Sequence, residues 1–379
     1  MKYMQNFATI LLGAAAIASA AASGNIVLED RTDFVYESYN DKVLVNDLAA
    51  GALKNAAGAD SLDKTGAKVY SKIQKESNLG LAESRLRTDF KGQFSNDVKY
   101  RFRVRWDKTL GNNKKLGLVQ TLDGAIDNAF IQPKFGENLS VKIGKFTMES
   151  QAYEWLLSSQ DIYLFSSIEK YYVAGNAAPL GIRPILSLDG IGEFTATIAN
   201  TNLASSEDSL AQKAMLYGAG FTGKFGMFEP LANFTLVPLQ DKWSEGQIDA
   251  GAGLRVTVDK IIGIVDFQTQ TTNGDGLVIA KGLDKVISTN VFLQYKGENF
   301  RPQAKVIVDQ TYYQKDKTAS VLGLSGGLEY YPAEKDKFRY HAIVTDKLTT
   351  PYKVGVKGDT QSELKVYLGV SCAMDMWKF

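Results

Sequence analysis

Residues 81–106 read LAESRLRTDFKGQFSNDVKYRFRVRW, and this stretch decides the fold class. Apolar residues occupy alternate positions on both sides of the turn sequence SND. The positions between them carry a strip of cationic side chains, which we call the basic strip: Arg85, Arg87, Lys91, Lys99, Arg101, Arg103 and Arg105. A period of two held over two such runs predicts a β-hairpin that has one apolar face and one basic face.

The first 22 residues have the features of an export signal. Lys2 precedes an apolar, Ala-rich run over 7–22 that ends in small residues. A charged start, an apolar middle and an Ala-x-Ala-like end are typical of a cleaved signal peptide. The run is too short and too rich in Ala to predict a membrane-spanning helix. We therefore expect residues 1–22 to be a signal peptide; the alternative is an uncleaved, buried first helix.

Charge and composition disfavour several classes of protein. The 379 residues include 43 Lys and Arg against 42 Asp and Glu, and the signal segment contains one of these bases and no acid. A nucleic-acid binder normally has a basic excess, so that class is disfavoured. A single Cys, Cys372, and a single His, His341, offer no internal disulfide and no His-based metal cluster. We expect no metal and no cofactor.

Strand-like runs with this two-faced pattern continue along the chain from residue 26 to residue 379. We predict about sixteen of them, joined by seven short turns and eight longer loops. Strands of about ten residues, with short turns at one rim and long loops at the other, are typical of outer-membrane barrels. Residues 23–379 are therefore predicted to form a transmembrane antiparallel β-barrel, with short periplasmic turns and long extracellular loops. Such a sheet must close, because an unpaired backbone group in hydrocarbon costs several kcal/mol.

The last predicted strand covers 362–379 and ends in Trp377, Lys378 and Phe379. A terminal Phe with aromatics at two-residue spacing resembles the end of outer-membrane barrel proteins. Asp375 shares the alternation of Trp377 and Phe379, where an apolar residue is expected. A β-bulge near the end of the strand, or a position in the headgroup region, would account for it.

The same alternation predicts further cations on the polar face of other strands, namely Lys142, Arg183, Arg255, Arg301, Lys305 and Arg339. The polar face would then hold a basic excess, with the balancing acids mostly in loops and turns. In a narrow water path such cations raise the local concentration of anions. The alternative is that these side chains only stabilise the wall through pairs between strands.

Residues 143–149 read IGKFTME, and residues 153–167 read YEWLLSSQDIYLFSS. This region resembles the phosphate-selective porin O and P family, in which a Gly-Gln/Lys-Phe strand end precedes a Glu, a Leu-Ser-Ser run and an aromatic segment. The resemblance implies a sixteen-stranded barrel, usually a homotrimer, whose third long loop folds into the pore. Here that constriction loop would be residues 147–179. Its acids Glu149, Glu154 and Asp161 are expected to face the basic strip.

We therefore expect an outer-membrane porin for passive diffusion of small hydrophilic solutes, in contact with outer-membrane lipid. The basic strip predicts a preference for anions, and the resemblance implies phosphate. The alternatives are a non-conducting barrel that serves as an adhesin or an envelope structural protein, and a soluble exported β-protein. No catalytic residues are expected, since no motif places a nucleophile beside a base. The Gly-x-Gly-x-x-Gly match at residues 218–223 lies inside a predicted strand with no helix after it, so it does not predict a dinucleotide site.

Overall fold

The structure, a computed structural model, describes most of the chain. The described ranges are 23–41, 74–95, 97–105, 126–148, 152–157, 162–168, 178–200, 215–239, 242–273, 284–313, 315–332, 338–353 and 356–378. The predicted signal peptide and the terminal Phe379 lie outside them.

Nearly all described residues are in β-strands. The strands are β1 (Ser23–Asp41), β2 (Gln74–Ser95), β3 (Val98–Arg105), β4 (Ile126–Phe135), β5 (Leu139–Lys145), β6 (Leu180–Leu188), β7 (Gly192–Asn200), β8 (Met215–Gly223), β9 (Phe228–Leu239), β10 (Lys242–Val258), β11 (Ile261–Asn273), β12 (Lys285–Tyr295), β13 (Phe300–Tyr313), β14 (Asp316–Tyr330), β15 (Phe338–Lys353), β16 (Val356–Lys357) and β17 (Gln361–Lys378). A four-residue helix, α1 (Tyr153–Leu156), lies in the connector between β5 and β6. No helix in the described ranges is long and apolar enough to cross a membrane.

The sheet closes on itself. Each wall strand pairs antiparallel with its sequence neighbours, and β1 pairs with both β2 and β17. The two-residue strand β16 pairs only with the end of β15, so sixteen of the described strands form the wall. The predicted closed antiparallel barrel of sixteen strands is confirmed. Closure satisfies the backbone groups of the first and last strands, which would otherwise be open edges.

The two faces of the wall alternate as the sequence predicts. Along β13, Ala304, Val306 and Val308 belong to an exposed apolar face, whereas Lys305 and Asp309 lie on the opposite, buried face. The face that carries the polar residues contacts the described parts of the connector between β5 and β6, so it is the inner face. A barrel with apolar residues outside and polar residues inside suits a lipid surround.

The connectors at the long-loop rim differ from the prediction at two places. The eight predicted longer loops include residues 240–247 and 313–318, but β10 already begins at Lys242 and β14 at Asp316. The antiparallel ladder continues through these polar residues, as in the pairing of Tyr313 with Asp316. The side chains of these residues lack the apolar alternation of the wall. The ladder hydrogen bonds are formed by the backbone, so a strand can continue wherever a partner strand is present. These two connectors are therefore short.

A β-bulge explains Asp375. Ile26 pairs with Trp377, and Val27 pairs with Asp375, so Met376 is an extra residue in β17. The extra residue reverses the alternation. Trp377 is consequently on the exposed side, while Asp375 lies on the other face and forms a salt bridge of 3.3 Å to Lys378.

Candidate functional site

The basic strip lies on the inner face of neighbouring strands near the short-turn rim. The ladder sets Lys91 of β2 opposite Arg101 of β3, and Asp89 opposite Arg103. Directly paired residues share one face, so these side chains form rows across the wall. The row nearest the turn holds Lys99. Arg85, another residue of the basic strip, is paired with Arg31 of β1 in the backbone ladder. The side chain of Arg85 is not among the side chains that the structure describes.

One carboxylate neutralises part of this strip. Arg101 makes a two-pronged contact with Asp89, with Nε to Oδ1 at 2.9 Å and Nη2 to Oδ2 at 2.6 Å. Arg103 Nη2 reaches the same Oδ2 at 2.9 Å. Asp89 is almost fully buried, whereas the side chains of Arg101 and Arg103 keep 31% and 17% of their exposure. The two guanidinium groups therefore outweigh the acid between them and remain accessible.

Of the other cations in the basic strip, some have an acidic partner and some do not. Arg87 contacts Glu29 on β1, and Arg105 lies 4.0 Å from Asp127 on β4. Lys91 and Lys99 are exposed. Neither of these two lysines forms a salt bridge within the described ranges. The positive charge that is left without an acid is therefore concentrated at the end of the hairpin near the turn.

Some of the balancing acids lie in the strands themselves and not in loops or turns. The inner face holds many of them: Glu29, Asp33, Asp89, Asp127, Asp249, Asp266, Asp309 and Glu329. Alternation along a single strand predicts which face a charge lies on but not which charges of other strands it meets. In the barrel each acid meets cations from neighbouring strands or from the connector inside.

The connector between β5 and β6 is held inside the barrel by backbone contacts to wall carboxylates. Asp266 of β11 accepts hydrogen bonds from the backbone N–H groups of Tyr153 at 3.1 Å and Glu154 at 2.8 Å. These are the first N–H groups of α1, which have no partner within the helix. The Tyr153 hydroxyl donates to the Glu229 carbonyl at 2.6 Å, and burial, with the charge of Glu229 as a second cause, raises the pKa of Tyr153 to about 12.

Glu154 does not face the basic strip, contrary to the sequence expectation. It forms a salt bridge with Lys305 on β13 and accepts a hydrogen bond of 3.2 Å from Asn290 on β12. Burial by itself raises the pKa of Glu154, but the charge of Lys305 and hydrogen bonds from Lys305 and Ser166 outweigh it and lower the pKa. Glu154 is therefore an anion that is already neutralised. The other two predicted acids, Glu149 and Asp161, lie outside the described residues.

Residues 162–168 pack against another part of the same wall. The Ser167 N–H donates to Asp309 at 2.7 Å, and Lys305 donates to the Leu164 carbonyl at 2.8 Å. On the closing strand β1, Arg31 donates to the Ile162 carbonyl at 3.1 Å. Together with α1, these contacts fix the described connector segments against the inner faces of β11–β13 and β1.

An ion cluster supports the second of these segments. Arg31 pairs with Asp33 at 2.8 Å and lies 4.0 Å from the centre of the Tyr163 ring. Asp33 also contacts His341 Nε2 at 2.6 Å. All of these side chains are buried. They connect the first strand, β15 and the connector.

Each of the remaining predicted cations contacts an aromatic ring or an acid. Arg183 and Lys142 belong to the inner face of β5–β6. Arg183 is buried, donates a hydrogen bond to Thr197 Oγ1 at 2.9 Å and lies over the Phe146 ring. Lys142 lies 5.2 Å from the centre of the Phe130 ring. The cations of β10, β13 and β15 are partnered: Arg255 with Glu229 at 3.5 Å, Arg301 over the Tyr331 ring at 4.1 Å, Arg339 with Glu329 at 3.3 Å, and Lys305 with Glu154.

Sequence reasoning missed the residues that position the connector, above all Asp266, Asp309 and Arg31. A signal for them was present. Apolar residues occupy inward positions on the covered wall, as Ile262 and Ile264 do beside Asp266, and both are buried against the connector. An apolar residue on an otherwise polar inner face indicates that another part of the chain covers it.

No protein-family model matches the sequence, and no curated protein matches it. Solved structures do match. The chain is similar to an anion-selective porin from Comamonas acidovorans, with 11% identity, 93% of this chain and 99% of that chain covered, and a TM-score of 0.58. It is also similar to the outer membrane channel DcaP of Acinetobacter baumannii, at 13% identity, 93% and 98% coverage and a TM-score of 0.57. A trimer form of OmpT, an outer membrane protein of Vibrio cholerae, matches at 11% identity, 93% and 99% coverage and a TM-score of 0.54. At these identities the likeness establishes a porin-like barrel fold.

Proposed function

We propose that this protein is an outer-membrane porin, a water-filled channel through which small hydrophilic solutes diffuse, with a preference for anions. Its work requires no catalytic step and no cofactor. Residues 1–22 would direct export, and the exposed apolar face would contact outer-membrane lipid. The trimer form among the similar structures supports a homotrimer.

The observation that carries the anion preference is the difference in exposure between the two sides of the inner wall. On the connector side, acids such as Asp266, Asp309 and Glu329 are nearly inaccessible to solvent. On the hairpin side, Lys91 and Lys99 are exposed without a salt bridge, and Arg101 and Arg103 share one acid. A solute in the water path would therefore meet more positive than negative charge, although the whole chain is close to neutral. Charge that lines a narrow aqueous path changes the local ion concentration.

The test is single-channel recording of the refolded protein in a planar bilayer under a KCl gradient. We expect conductance steps with a reversal potential that indicates anion preference. Replacing Lys91→Gln and Lys99→Gln together should reduce the anion-to-cation permeability ratio about twofold. The matched control is Lys260→Gln with Lys296→Gln, which removes two exposed charges from turns at the same rim but far from the hairpin. The control should leave the ratio unchanged.

Each contrary result is informative. An absence of conductance steps would contradict the porin proposal and favour a structural or adhesive barrel. Cation preference would keep the channel and overturn the assignment of the basic strip. An equal shift in the hairpin variant and in the control would show that the overall charge of the rim, rather than this strip, sets the selectivity.

We extend the proposal to phosphate as a permeating anion. Its support is the family resemblance of residues 143–167 and the presence of Arg101 and Arg103 side by side, since guanidinium groups match the oxygens of phosphate. Millimolar phosphate added to a KCl solution should then reduce the chloride current, and Arg101→Ala with Arg103→Ala should abolish this reduction. A chloride current that is insensitive to phosphate would restrict the preference to anions in general.

A further inference from the structure

A group of lysines and tyrosines lies on the outer face of the barrel at the long-loop rim. We call Lys285, Tyr312, Lys317, Tyr352 and Lys357 the outer patch. The ladder pairs Lys285 of β12 with Tyr312 of β13, and Tyr312 with Lys317 of β14. It also pairs Tyr352 of β15 with Lys357 of β16. The patch thus runs across five adjacent strands.

Ring contacts join the members of the outer patch. Lys317 Nζ lies 4.8 Å from the centre of the Tyr352 ring, which bridges β14 and β15. Lys285 Nζ lies 5.9 Å from the centre of the Tyr312 ring. A β-bulge at Thr318 sets the side chain of Lys317 on the outer face, because Thr311 pairs with Ala319 while Tyr312 pairs with Lys317. Lys285 and Lys317 are therefore held close to the wall rather than extended into water.

The charge of the outer patch is not neutralised within the described ranges. Lys285, Lys317 and Lys357 form no salt bridge there, in contrast to Lys305 and Arg339 on the covered inner wall. Lys285 and Lys317 flank Tyr312, and Lys317 and Lys357 flank Tyr352, so successive lysines are two strands apart. Positive charges at this spacing repel one another less when an anion lies between them. The arrangement therefore suits a ligand with one or more negative charges.

Beyond one row that contains Gln310 and Ser320, the surface towards the middle of the barrel is apolar. On the same outer face, towards the middle of the barrel, the ladder sets Val308 opposite Leu322, and both are exposed. Val306 and Leu324 form the next exposed pair along the two strands. A ligand at the outer patch would consequently have a polar part beside the lysines and an apolar part along the strands. Tyr and Lys side chains at such a boundary place their apolar parts on the wall and their polar ends at the headgroup level.

We propose that the outer patch binds the phosphate groups of anionic lipids of the surrounding leaflet, with the acyl chains lying along β13 and β14. This inference rests on the proposed membrane location. It does not depend on ion conduction, since the patch and the pore are on opposite faces of the wall. Lysines near a bilayer surface attract anionic headgroups, and the attraction weakens with salt.

The experiment is a lipid titration of the refolded full chain in a non-ionic detergent, followed by native mass spectrometry. The probes are phosphatidylglycerol and phosphatidylcholine with identical acyl chains. We expect phosphatidylglycerol to bind more tightly than phosphatidylcholine. The triple variant Lys285→Gln, Lys317→Gln, Lys357→Gln should weaken phosphatidylglycerol binding about tenfold or more. Salt at about 0.5 M should also weaken phosphatidylglycerol binding to the unmodified chain.

Two controls make the result decisive. The triple variant Lys224→Gln, Lys260→Gln, Lys296→Gln removes three lysines from turns at the opposite rim and should bind phosphatidylglycerol as the unmodified chain does. Replacing the three patch lysines by Arg should restore binding, which also shows that a loss in the Gln variant does not come from misfolding. Inorganic phosphate at the concentration of the lipid should not compete.

Equal binding by both triple Gln variants would overturn the proposal, as would equal affinity for the two lipids. Displacement of the lipid by inorganic phosphate would assign the patch to a free anion instead. Channel recordings on the same preparations separate this inference from the proposed function, because a conducting channel without lipid selectivity refutes only the patch.

Discussion

The inner wall has two sides with the same alternating pattern, but one side is exposed and the other is covered by the connector. On the hairpin side, β2 and β3 present Lys91, Lys99 and Arg101 to open space. On the connector side, β11–β15 present residues such as Asp266 and Lys305, which are buried beneath α1 and residues 162–168. Local sequence makes both sides polar. Only the segment that packs on one of them decides which charges remain exposed inside the barrel.

The charges on the inner face thus have two different roles. Where the connector packs, they satisfy backbone N–H groups and each other, so their effect is on stability. Where the wall is open, the same residue types would act on ions in the water path of the proposed channel. Substitutions with the same change of charge should therefore have separable effects on the two sides.

The largest effect should come from breaking the buried pair on the covered wall. Lys305→Met leaves Glu154 as a buried carboxylate without its cation, and loss of one partner of such a pair costs about 3–5 kcal/mol. The free energy of unfolding, measured by urea titration in detergent micelles, should fall by that amount. Adding Glu154→Gln should recover much of the loss. An unchanged unfolding free energy in the single variant would contradict the assigned pair.

The same pair predicts a dependence on pH. The pKa of Glu154 in the folded protein is lowered from its ordinary value of 4.5, so its contribution to stability is present above pH 4.5 and is lost as the pH falls through the folded-state pKa. The difference in unfolding free energy between the unmodified chain and Lys305→Met should therefore be constant near neutral pH and shrink in acid. A gap that grows on acidification would refute this sign.

A smaller effect is expected from the carboxylate that holds α1. Asp266→Ala leaves the N–H groups of Tyr153 and Glu154 without their acceptor, which costs about 1–3 kcal/mol. Asp266→Asn keeps one acceptor oxygen and should lose less. Asp189→Ala, in an exposed turn, is the control and should leave the unfolding free energy unchanged. We also expect noisier single-channel currents from Asp266→Ala, because the connector is held less firmly.

The smallest effect is one on selectivity. Asp89→Asn removes the acid between Arg101 and Arg103 and should raise the anion-to-cation permeability ratio, by about twofold or less. Glu329→Gln makes the same change of charge on the covered wall, where Glu329 is inaccessible and paired with Arg339. It should leave the ratio unchanged. Equal shifts in the two variants would mean that both sides of the wall act on the permeating ion.

Much of this protein was determined by its sequence. Alternation in residues 81–106 and in the later runs predicts strands, faces and a closed barrel, because the period of two is a local property of each strand and closure follows from the need to pair every backbone group in lipid. Even the reversal at Asp375 is visible as a break in the alternation, although only the register identifies Met376 as the extra residue.

Tertiary structure alone decided which charges are accessible. The partners of Glu154, namely Lys305 and Asn290, are more than a hundred residues away along the chain, and Asp33 meets His341 across the closing seam. No local period encodes such contacts, since they depend on where the connector packs inside the barrel and on how the first and last strands meet. Sequence thus determined the polarity of each face, whereas packing determined whether a charge on the inner face is buried beneath the connector or stays exposed inside the barrel.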